Sequence, residues 1–413
     1  MRLQNTSIAQ IMAKKKIFND PVYGFVSFPT ELIYDLIDHR YFQRLRRISQ
    51  LGLTHYVYPG ALHTRFHHAL GALHLMTEAV QSLREKDVEI SDEEYEAVCI
   101  AILLHDIGHG PFSHALEHCI VDLRHENLSA LFMEKLNIEY NGKLTMAISI
   151  YKGNYKKHFL HELVSSQLDM DRMDYLIRDS YFTGVAEGVI GYDRIIKMLN
   201  VVDHHLVVEE KGIYSIEKFL VARRLMYWQV YLHKTVLSAE QMLISILKRA
   251  KKLIISNVNV LCSENLYNFL ASDFSLISKE LIVKDYIDRF AELDDVDILS
   301  LIKSNTKHSD FILSYTSQSL LERKLFKIYL QNEGFGEVEK KVILQDVKKN
   351  LKVDTELAEN LILEGKESNL SYNSNKEEIL ILQKNGEVRP LSEFDTEFLK
   401  PKIVTKHFMS FPQ

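Results

Sequence analysis

The side chains of this chain that are suited to chemistry are concentrated around a histidine-aspartate pair, His105-Asp106, at the end of an apolar segment. Burying an imidazole beside a carboxylate is costly unless a partner such as a divalent cation compensates them. His68 and Asp171, in two other polar motifs, offer the same types of ligand. Two histidines and two carboxylates leave coordination positions open for water and substrate oxygens, which is typical of a catalytic metal site. The alternative for each residue alone is that it caps a helix end.

The elements that must position these residues are helices. Apolar residues recur at helical spacing through most of the first 250 positions, and the chain has only seven prolines, which predicts a mainly α-helical fold. The capping pattern Ser91-Asp92-Glu93-Glu94 starts a helix that runs into His105-Asp106 and ends in the Gly-rich segment 108–111. Further helices are predicted over 30–38 and from 217 to about 255.

Three short β-hairpins are also predicted. The first lies within 17–28, around Asn19-Asp20-Pro21, and the second within 201–216, around Glu209-Glu210-Lys211-Gly212. The third lies within 377–390, where the apolar run Ile379–Leu382 is followed by Asn385-Gly386, a strong turn signal. The C-terminal portion is therefore predicted to be α+β.

Composition narrows the class of protein. The N-terminal residues 1–16 lack the apolar core of a signal peptide, and no apolar run approaches the ~18 residues of a membrane span, so we expect a cytoplasmic protein without a membrane partner. The three cysteines are scattered and without CxxC spacing, so they indicate neither a disulfide framework nor a cysteine zinc site. A net charge of -6 argues against a dominant nucleic-acid-binding face.

The set His68, His105-Asp106 and Asp171 resembles the HD superfamily of metal-dependent phosphohydrolases. Within it, the chain is similar to the deoxynucleoside triphosphate triphosphohydrolases related to the vertebrate SAM-and-HD-domain enzyme, over roughly the first 240 residues. The resemblance is carried by Asn19-Asp20-Pro21 and by the segments 42–52, 65–71, 105–114 and 169–179.

The resemblance implies an HD-domain helical core, which we place at 1–255 with its small β-hairpins. The predicted α+β extension covers 256–413, and we expect it to pack on the core and take part in oligomerisation. It also implies hydrolysis of a dNTP to a deoxynucleoside and inorganic triphosphate, with attack at the α-phosphorus. One divalent cation is expected, and the ligand types suit Mn, Fe, Mg or Zn. Two alternatives stay open: another HD-type nucleotidase or phosphodiesterase, and a catalytically weak protein that binds nucleotides or single-stranded nucleic acid.

The family motifs also imply roles for further residues. Triphosphate contacts are expected from Arg65, Arg172 and Arg223, whose charges suit phosphate oxygens, and from Tyr175. Gln50 and Asp179 are expected to bind the 3'-hydroxyl, with Leu51 beside them, while Tyr231 packs under the sugar and excludes a 2'-hydroxyl. The candidates for protonating the leaving 5' oxygen are His109, His114 and His125, of which His114 is expected nearest and His125 is expected to be oriented by Glu126. Glu117 stands where the vertebrate relative has aspartate, which leaves the division of acid and base roles open.

A regulatory site is implied by the same resemblance. In the vertebrate relative an activating nucleotide binds at a subunit interface, through residues that match Lys16, Asp38, Gln43 and Arg46. Asp38 is suited to a guanine edge, and the two cations are suited to phosphates. The competing interpretation is a surface or interface without a ligand. We therefore expect a homo-oligomer, either a dimer or a tetramer.

Overall fold

The computed structural model of the chain describes residues 16–117, 119–121, 123–272, 286–369, 378–394 and 404–413. The side chain of His114, a predicted catalytic residue, lies outside this described part. The fold is mainly α-helical with a few small sheets, as the hydrophobic periodicity predicts. No helix of the described ranges is both long and apolar enough to cross a membrane.

The N-terminal half forms the predicted hairpin and a set of packed helices. Strands β1 (Phe18–Asp20) and β2 (Gly24–Val26) pair antiparallel. The helices that follow are α1 (Glu31–Asp38), α2 (Arg40–Gln43), α3 (Arg65–Arg84), α4 (Asp92–Leu104), α5 (His125–Glu139), α6 (Thr145–Tyr151), α7 (His158–Val164), α8 (Met170–Thr183) and α9 (Tyr192–Met198).

The capping prediction for α4 is confirmed. The Ser91 hydroxyl accepts a hydrogen bond from the Glu94 amide, and the Glu94 carboxylate accepts one from the Ser91 amide. Helix α4 ends at Leu104, so His105 is its C-cap and Asp106 lies in the turn that follows. Helix α3 packs against both α4 and α8, and the predicted metal ligands lie where these three helices meet.

The prediction of one continuous helix from 217 to about 255 is wrong. The structure has α10 (Ile213–Met226), a π-helical turn at Tyr227–Tyr231 and α11 (Lys234–Ile255). The backbone O of Gln229 in this turn accepts a hydrogen bond from the Tyr58 hydroxyl at 2.6 Å. A single π turn changes the direction in which a helix presents its side chains, and such turns are frequent at functional sites.

The second hairpin exists, but its predicted turn is wrong. Strands β3 (Leu199–Val202) and β4 (His205–Glu209) pair antiparallel, and the chain reverses at Asp203-His204, both with positive φ. The segment Glu210–Gly212 is instead a turn of 3-10 helix that leads into α10. Aspartate is among the few residues besides glycine that adopt the left-handed conformation readily.

The C-terminal half is α+β. Its helices are α12 (Glu264–Ala271), α13 (Ile287–Phe290), α14 (Asp295–Ser304), α15 (Phe311–Leu321), α16 (Glu337–Leu351) and α17 (Thr355–Asn360). Its strands are β5 (Lys327–Gln331), β6 (Leu363–Asn369), β7 (Leu380–Leu382), β8 (Val388–Pro390) and β9 (Val404–Phe411). The predicted hairpin is the β7–β8 pair, with Gly386 at a φ of +87° in its turn.

Strands from both halves of the chain join in one sheet. Its order is β3-β4-β7-β8, and β7 runs parallel to β4. A second sheet, β5-β9-β6, covers a small apolar core with α16 and α17. One large hydrophobic core includes buried residues of both halves, from Val26 in the N-terminal hairpin to Leu391 after β8. The C-terminal elements therefore share a core with the N-terminal helices.

Candidate metal centre and substrate cavity

Three helices bring the four predicted metal ligands together. His68 lies in α3, His105 and Asp106 follow α4, and Asp171 lies in the first turn of α8. The Asp171 Oδ1 atom is 3.1 Å from His68 Nε2 and 3.5 Å from His105 Nε2. Asp106 completes the group, with Oδ1 3.4 Å from His105 Nε2 and Oδ2 3.7 Å from His68 Nε2.

The donor set fits a divalent cation. His68 Nε2 and His105 Nε2 are buried, and neither has a hydrogen-bond partner among the described residues. Ligand atoms of His68, His105 and Asp171 all lie within 4.8 Å of one another. Unpaired buried nitrogens that face carboxylates are costly, and a metal ion bonded to both types of ligand removes that cost.

The electrostatics of the cluster also favour a positive charge. Burial lowers the pKa of His68, but the close carboxylates of Asp171 and Asp174 outweigh it and raise this pKa to about 10. Burial raises the pKa of Asp106, yet the charges of His105 and Arg65 hold it well below its ordinary value. The protein therefore stabilises a cation at this point, and a metal ion held by these residues would supply that charge while the imidazoles stay neutral.

A buried ion cluster that the sequence reasoning missed orients His68. Its Nδ1 lies 2.7 Å from Asp174 Oδ2, one turn after Asp171 on α8. Asp174 also accepts two hydrogen bonds from Arg178 at 3.0 Å, and Arg178 Nη1 lies 2.8 Å from Asp20 Oδ2 in the N-terminal hairpin. A carboxylate on the second ring nitrogen fixes the tautomer and orientation of a ligating histidine.

Gly71 makes room for this cluster. A Cβ atom at position 71 would lie 2.0 Å from Asp174 Oδ1 and 2.1 Å from Arg178 Nη2. Helix α3 therefore needs glycine one turn after His68, although glycine is unfavourable in a helix interior. The segment 65–71 is one of the motifs that carry the family resemblance, and this close contact explains why its last residue is glycine.

A cavity of about 750 Å³ opens in front of the metal ligands. Most of the predicted site residues line it: Gln50, Leu51, Arg65, His105, Asp106, His109, His125, Glu126, Asp171, Arg172, Tyr175, Asp179 and Tyr231. His68 is fully buried behind this wall. Glu117 and Arg223 are not part of the cavity wall, and the side chain of His114 is outside the described part.

Two of the three predicted phosphate-binding arginines face the cavity. Arg65 pairs with Asp106 and donates from Nε to Ser113 Oγ at 2.9 Å. Arg172 pairs with Asp169, the N-cap of α8. Arg223 instead donates from Nη1 to Gln167 Oε1 at 3.2 Å, and it is not among the residues that line the cavity.

The carboxylate that orients His125 is Glu117 and not Glu126, which corrects the pairing expected from the sequence. Glu117 Oε1 lies 3.0 Å from His125 Nδ1 and accepts the His125 backbone N–H at 2.9 Å. Glu126 Oε2 is 3.7 Å from the same ring nitrogen, beyond hydrogen-bonding distance. The His125 ring stacks on His109 with centroids 4.0 Å apart, so this end of the cavity presents two packed imidazoles.

Asp179 sits at the other end of the wall and has two partners already. The Tyr231 hydroxyl donates to its Oδ2 at 2.7 Å, and His63 Nε2 lies 2.7 Å from its Oδ1. His63 is a further residue that sequence reasoning missed, and its ring stacks on Phe182 with centroids 4.5 Å apart. The Gln50 Oε1 atom is buried without a hydrogen-bond partner among the described residues, which suits a donor from a ligand.

The cavity is also lined by residues that no motif indicated. These are Glu240 and Gln241 of α11 and Glu367 of β6. Burial, followed by the nearby charge of Glu367, raises the pKa of Glu240 to about 8. A carboxyl group that stays neutral near pH 7 can donate a hydrogen bond as well as accept one.

The four predicted regulatory residues pair with one another outside the cavity. Lys16 forms an exposed ion pair with Asp38. Arg46 donates from Nε to Gln43 Oε1 at 2.8 Å, and its guanidinium carbon lies 3.5 Å from the centre of the Phe66 ring. Asp38 also contributes to the electrostatic environment of Arg46, so the two pairs are neighbours on one surface.

Comparisons with known proteins define the family. A protein-family model described as HD domain matches residues 65–179, and one described as HD associated region matches residues 190–279. The chain is 32% identical to the uncharacterised protein YwfO of Bacillus subtilis, over 97% of this chain and 93% of that protein. The chain therefore belongs to the HD-domain phosphohydrolases, as the sequence resemblance predicts.

Two further relatives extend the comparison. The crystal structure of a phosphohydrolase from Bacteroides thetaiotaomicron superposes with a TM-score of 0.91 at 46% identity, and covers 96% of this chain and 100% of that one. The deoxynucleoside triphosphate triphosphohydrolase SAMHD1 of Bos taurus is 32% identical over 266 residues, which are 53% of this chain and 45% of that protein. The chain thus spans somewhat less than half the length of this second relative, within the region that contains the HD domain.

Proposed function

We propose that this phosphohydrolase cleaves dNTPs to a deoxynucleoside and inorganic triphosphate, with one divalent cation held by His68, His105, Asp106 and Asp171. The observation that carries the proposal is the cavity itself, which is lined by His105, Asp106 and Asp171, by two arginines and by the Asp179–Tyr231 pair. The similarity to SAMHD1 supports the same reaction. The metal is one of Mn, Fe, Mg or Zn, and this ligand set does not distinguish them.

When bound, a divalent cation polarises a phosphoryl oxygen and lowers the pKa of coordinated water. The arginines would bind the phosphates. Arg65 and Arg172 face the same space and are each held by a carboxylate, Asp106 and Asp169. Charges that are fixed before the substrate arrives need no reorganisation during the reaction, which makes them effective at stabilising developing negative charge.

A histidine would protonate the leaving 5' oxygen. His125 is a candidate because it lines the cavity and Glu117 orients its ring. His109, which stacks on His125, and His114 are the other candidates. The pH dependence of turnover in His109→Ala, His114→Ala and His125→Ala distinguishes them, because loss of the general acid removes the alkaline limb of the profile.

The Asp179–Tyr231 pair would select the sugar. The phenol ring of Tyr231 is held by its hydrogen bond to Asp179, so a 2'-hydroxyl would have to displace a fixed aromatic surface. We expect Tyr231→Ala to lower the ratio of kcat/KM for dNTPs over ribonucleotides by about tenfold. Tyr231→Phe keeps the ring and is the matched control, so an equal loss of selectivity in both variants would contradict this role.

We further propose that a nucleotide binds at Lys16, Asp38, Gln43 and Arg46 between subunits of a homo-oligomer and activates the enzyme. Their clustering supports this, since two cations, a carboxylate and an amide are suited to phosphates and a base edge. Rates that stay hyperbolic and unchanged across all mixtures of dNTPs would rule it out. The competing hypothesis is that these four residues form a surface or interface with no ligand.

Product analysis tests the reaction. The protein is incubated with each of the four dNTPs and each candidate metal, and deoxynucleoside, monophosphate, pyrophosphate and triphosphate are resolved by ion-exchange chromatography. Inorganic triphosphate supports the proposal, whereas monophosphate with pyrophosphate would support another HD-type nucleotidase. His105→Ala and Asp106→Ala should abolish turnover, while His74→Ala, which removes a histidine paired with Glu78 at 3.3 Å elsewhere on α3, should not.

A further inference from the structure

A second cluster of metal-ligand side chains lies away from the cavity, where α7 meets the β3–β4 hairpin. It consists of His158 and Glu162, one turn apart on α7, and His205 at the start of β4. One ligand atom from each lies within 4.8 Å of the other two. None of the three lines the cavity, so the cluster is separate from the catalytic ligand set.

The three ligand atoms lie near the separations that a tetrahedral site requires. Glu162 Oε1 lies 3.0 Å from His205 Nδ1 and 3.8 Å from His158 Nε2. Ligand atoms bonded to zinc at about 2.0–2.1 Å in tetrahedral geometry are roughly 3.3 Å apart, so small rotations of exposed rings bring all three onto one ion. The rings of His158 and His205 are 5.3 Å apart at their centroids and nearly perpendicular.

The carboxylate is already held in the orientation that a metal needs. Glu162 Oε2 accepts the Leu206 backbone N–H at 2.6 Å, which leaves Oε1 directed at the two imidazoles. The backbone is fixed as well, because the Phe159 N–H donates to the His204 carbonyl at 2.8 Å. The contact between the helix and the hairpin is therefore formed before an ion binds, and it holds the three ligands in place.

We propose that His158, Glu162 and His205 form a second metal site, which binds zinc or a similar borderline divalent ion and links α7 to the β3–β4 hairpin. Two imidazoles with one carboxylate favour such ions over magnesium or calcium, which prefer oxygen ligands. The fourth position faces solvent, because the His205 and His158 side chains are 49% and 41% exposed.

Helix α7 connects this second metal site to the substrate cavity. His161 and Val164 of this helix and Ser165 just after it line the cavity, and β4 pairs with β7 of the C-terminal half. An ion at this site would therefore stabilise one wall of the cavity against its neighbouring sheet. This inference does not depend on which phosphate ester the enzyme cleaves.

Zinc binding tests the proposal in a His105→Ala background, where the catalytic ligand set is broken. The metal-stripped full-length chain is titrated with zinc against a chromophoric chelator, and bound zinc is counted after desalting. We expect one zinc per chain, with an affinity reduced at least tenfold when His158→Ala and His205→Ala are added, and a zinc-dependent rise in Tm that these changes abolish. Magnesium at equal concentration should not raise Tm.

Two further variants keep the test specific. His204→Ala removes the neighbouring histidine in the same turn and should leave zinc affinity unchanged. Glu162→Gln keeps an amide oxygen for the Leu206 N–H but loses the charge, and should weaken binding without unfolding, as checked by circular dichroism. Equal zinc affinity with and without His158 and His205, or equal weakening in His204→Ala, would overturn the proposal.

Discussion

The substitution Asp174→Asn tests whether the buried cluster behind His68 supports the metal site. Asp174 contacts His68 Nδ1 at 2.7 Å and makes two hydrogen bonds to Arg178, and none of these three side chains is more than marginally exposed. Asparagine keeps the shape and one acceptor oxygen but removes the charge. The change should therefore affect metal affinity and stability separately, through His68 and through Arg178.

The magnitudes follow from the two contacts. Loss of the partner that orients a ligating histidine typically lowers metal affinity by about 10- to 100-fold. Loss of one partner from a buried ion pair costs about 3–5 kcal/mol, and since Arg178 keeps Asp20 at 2.8 Å, we expect about 3 kcal/mol. Chelator competition measures the affinity, and urea unfolding of the metal-free protein measures the free energy of unfolding.

Asp20→Asn is the matched control. Asp20 shares Arg178 with Asp174 but has no contact with His68. We expect a similar loss of stability, of about 3 kcal/mol, with metal affinity within about twofold of the wild type. If Asp174→Asn binds metal as well as the wild type, or if Asp20→Asn loses as much affinity, the cluster is merely a stabilising ion network and the reasoning fails.

Three other substitutions test the packing at Gly71, the orientation of His125 and the raised pKa of Glu240. Gly71→Ala places a Cβ 2.0 Å from Asp174 Oδ1. We expect it to lower the free energy of unfolding by about 1–3 kcal/mol and to reduce metal affinity as Asp174→Asn does. Urea unfolding and metal affinity equal to those of the wild type would contradict the tight contact. Glu117→Gln should lower kcat by about 10- to 100-fold, because it weakens the orientation of His125, while Glu126→Gln serves as control in the same assay. Glu240 has a folded pKa of about 8 against an ordinary 4.5, so the folded state binds this proton more tightly than the unfolded chain and the wild type loses stability as pH rises through that window. Glu240→Gln cannot titrate and should gain roughly 2–4 kcal/mol relative to the wild type between pH 5 and pH 8 in urea unfolding, whereas a constant difference would contradict the raised pKa.

Local signals predicted several elements of the fold, including the helix that leads into the site. The capping box at Ser91 locates the start of α4, and its length then carries the chain to His105. Asn385-Gly386 likewise marks a hairpin that the structure contains. These predictions succeed because both signals depend on hydrogen bonds and backbone conformations within a few residues.

The break between α10 and α11 had no such signal. No glycine or proline occurs between Ile213 and Ile255, and helical periodicity continues on both sides. The π turn is accompanied by long-range contacts, namely the Tyr58 hydroxyl on Gln229 O and the Tyr231 hydroxyl on Asp179. Tertiary contacts of this kind override local propensity and cannot be read from a sequence window.

Helix α8 shows what a closer reading of the sequence finds and what it misses. Asp171, Tyr175 and Asp179 follow at intervals of four and line the cavity, and all three were predicted. Asp174 and Arg178 lie on the adjacent face and are fully buried, and neither was. Counted from Asp171, polar side chains occur at both i+3 and i+4, and together they cover more of the helix surface than a single solvent-facing stripe does. Such an arrangement on a helix beside a metal ligand therefore indicates a second, buried polar face, whose partners orient the ligand from behind.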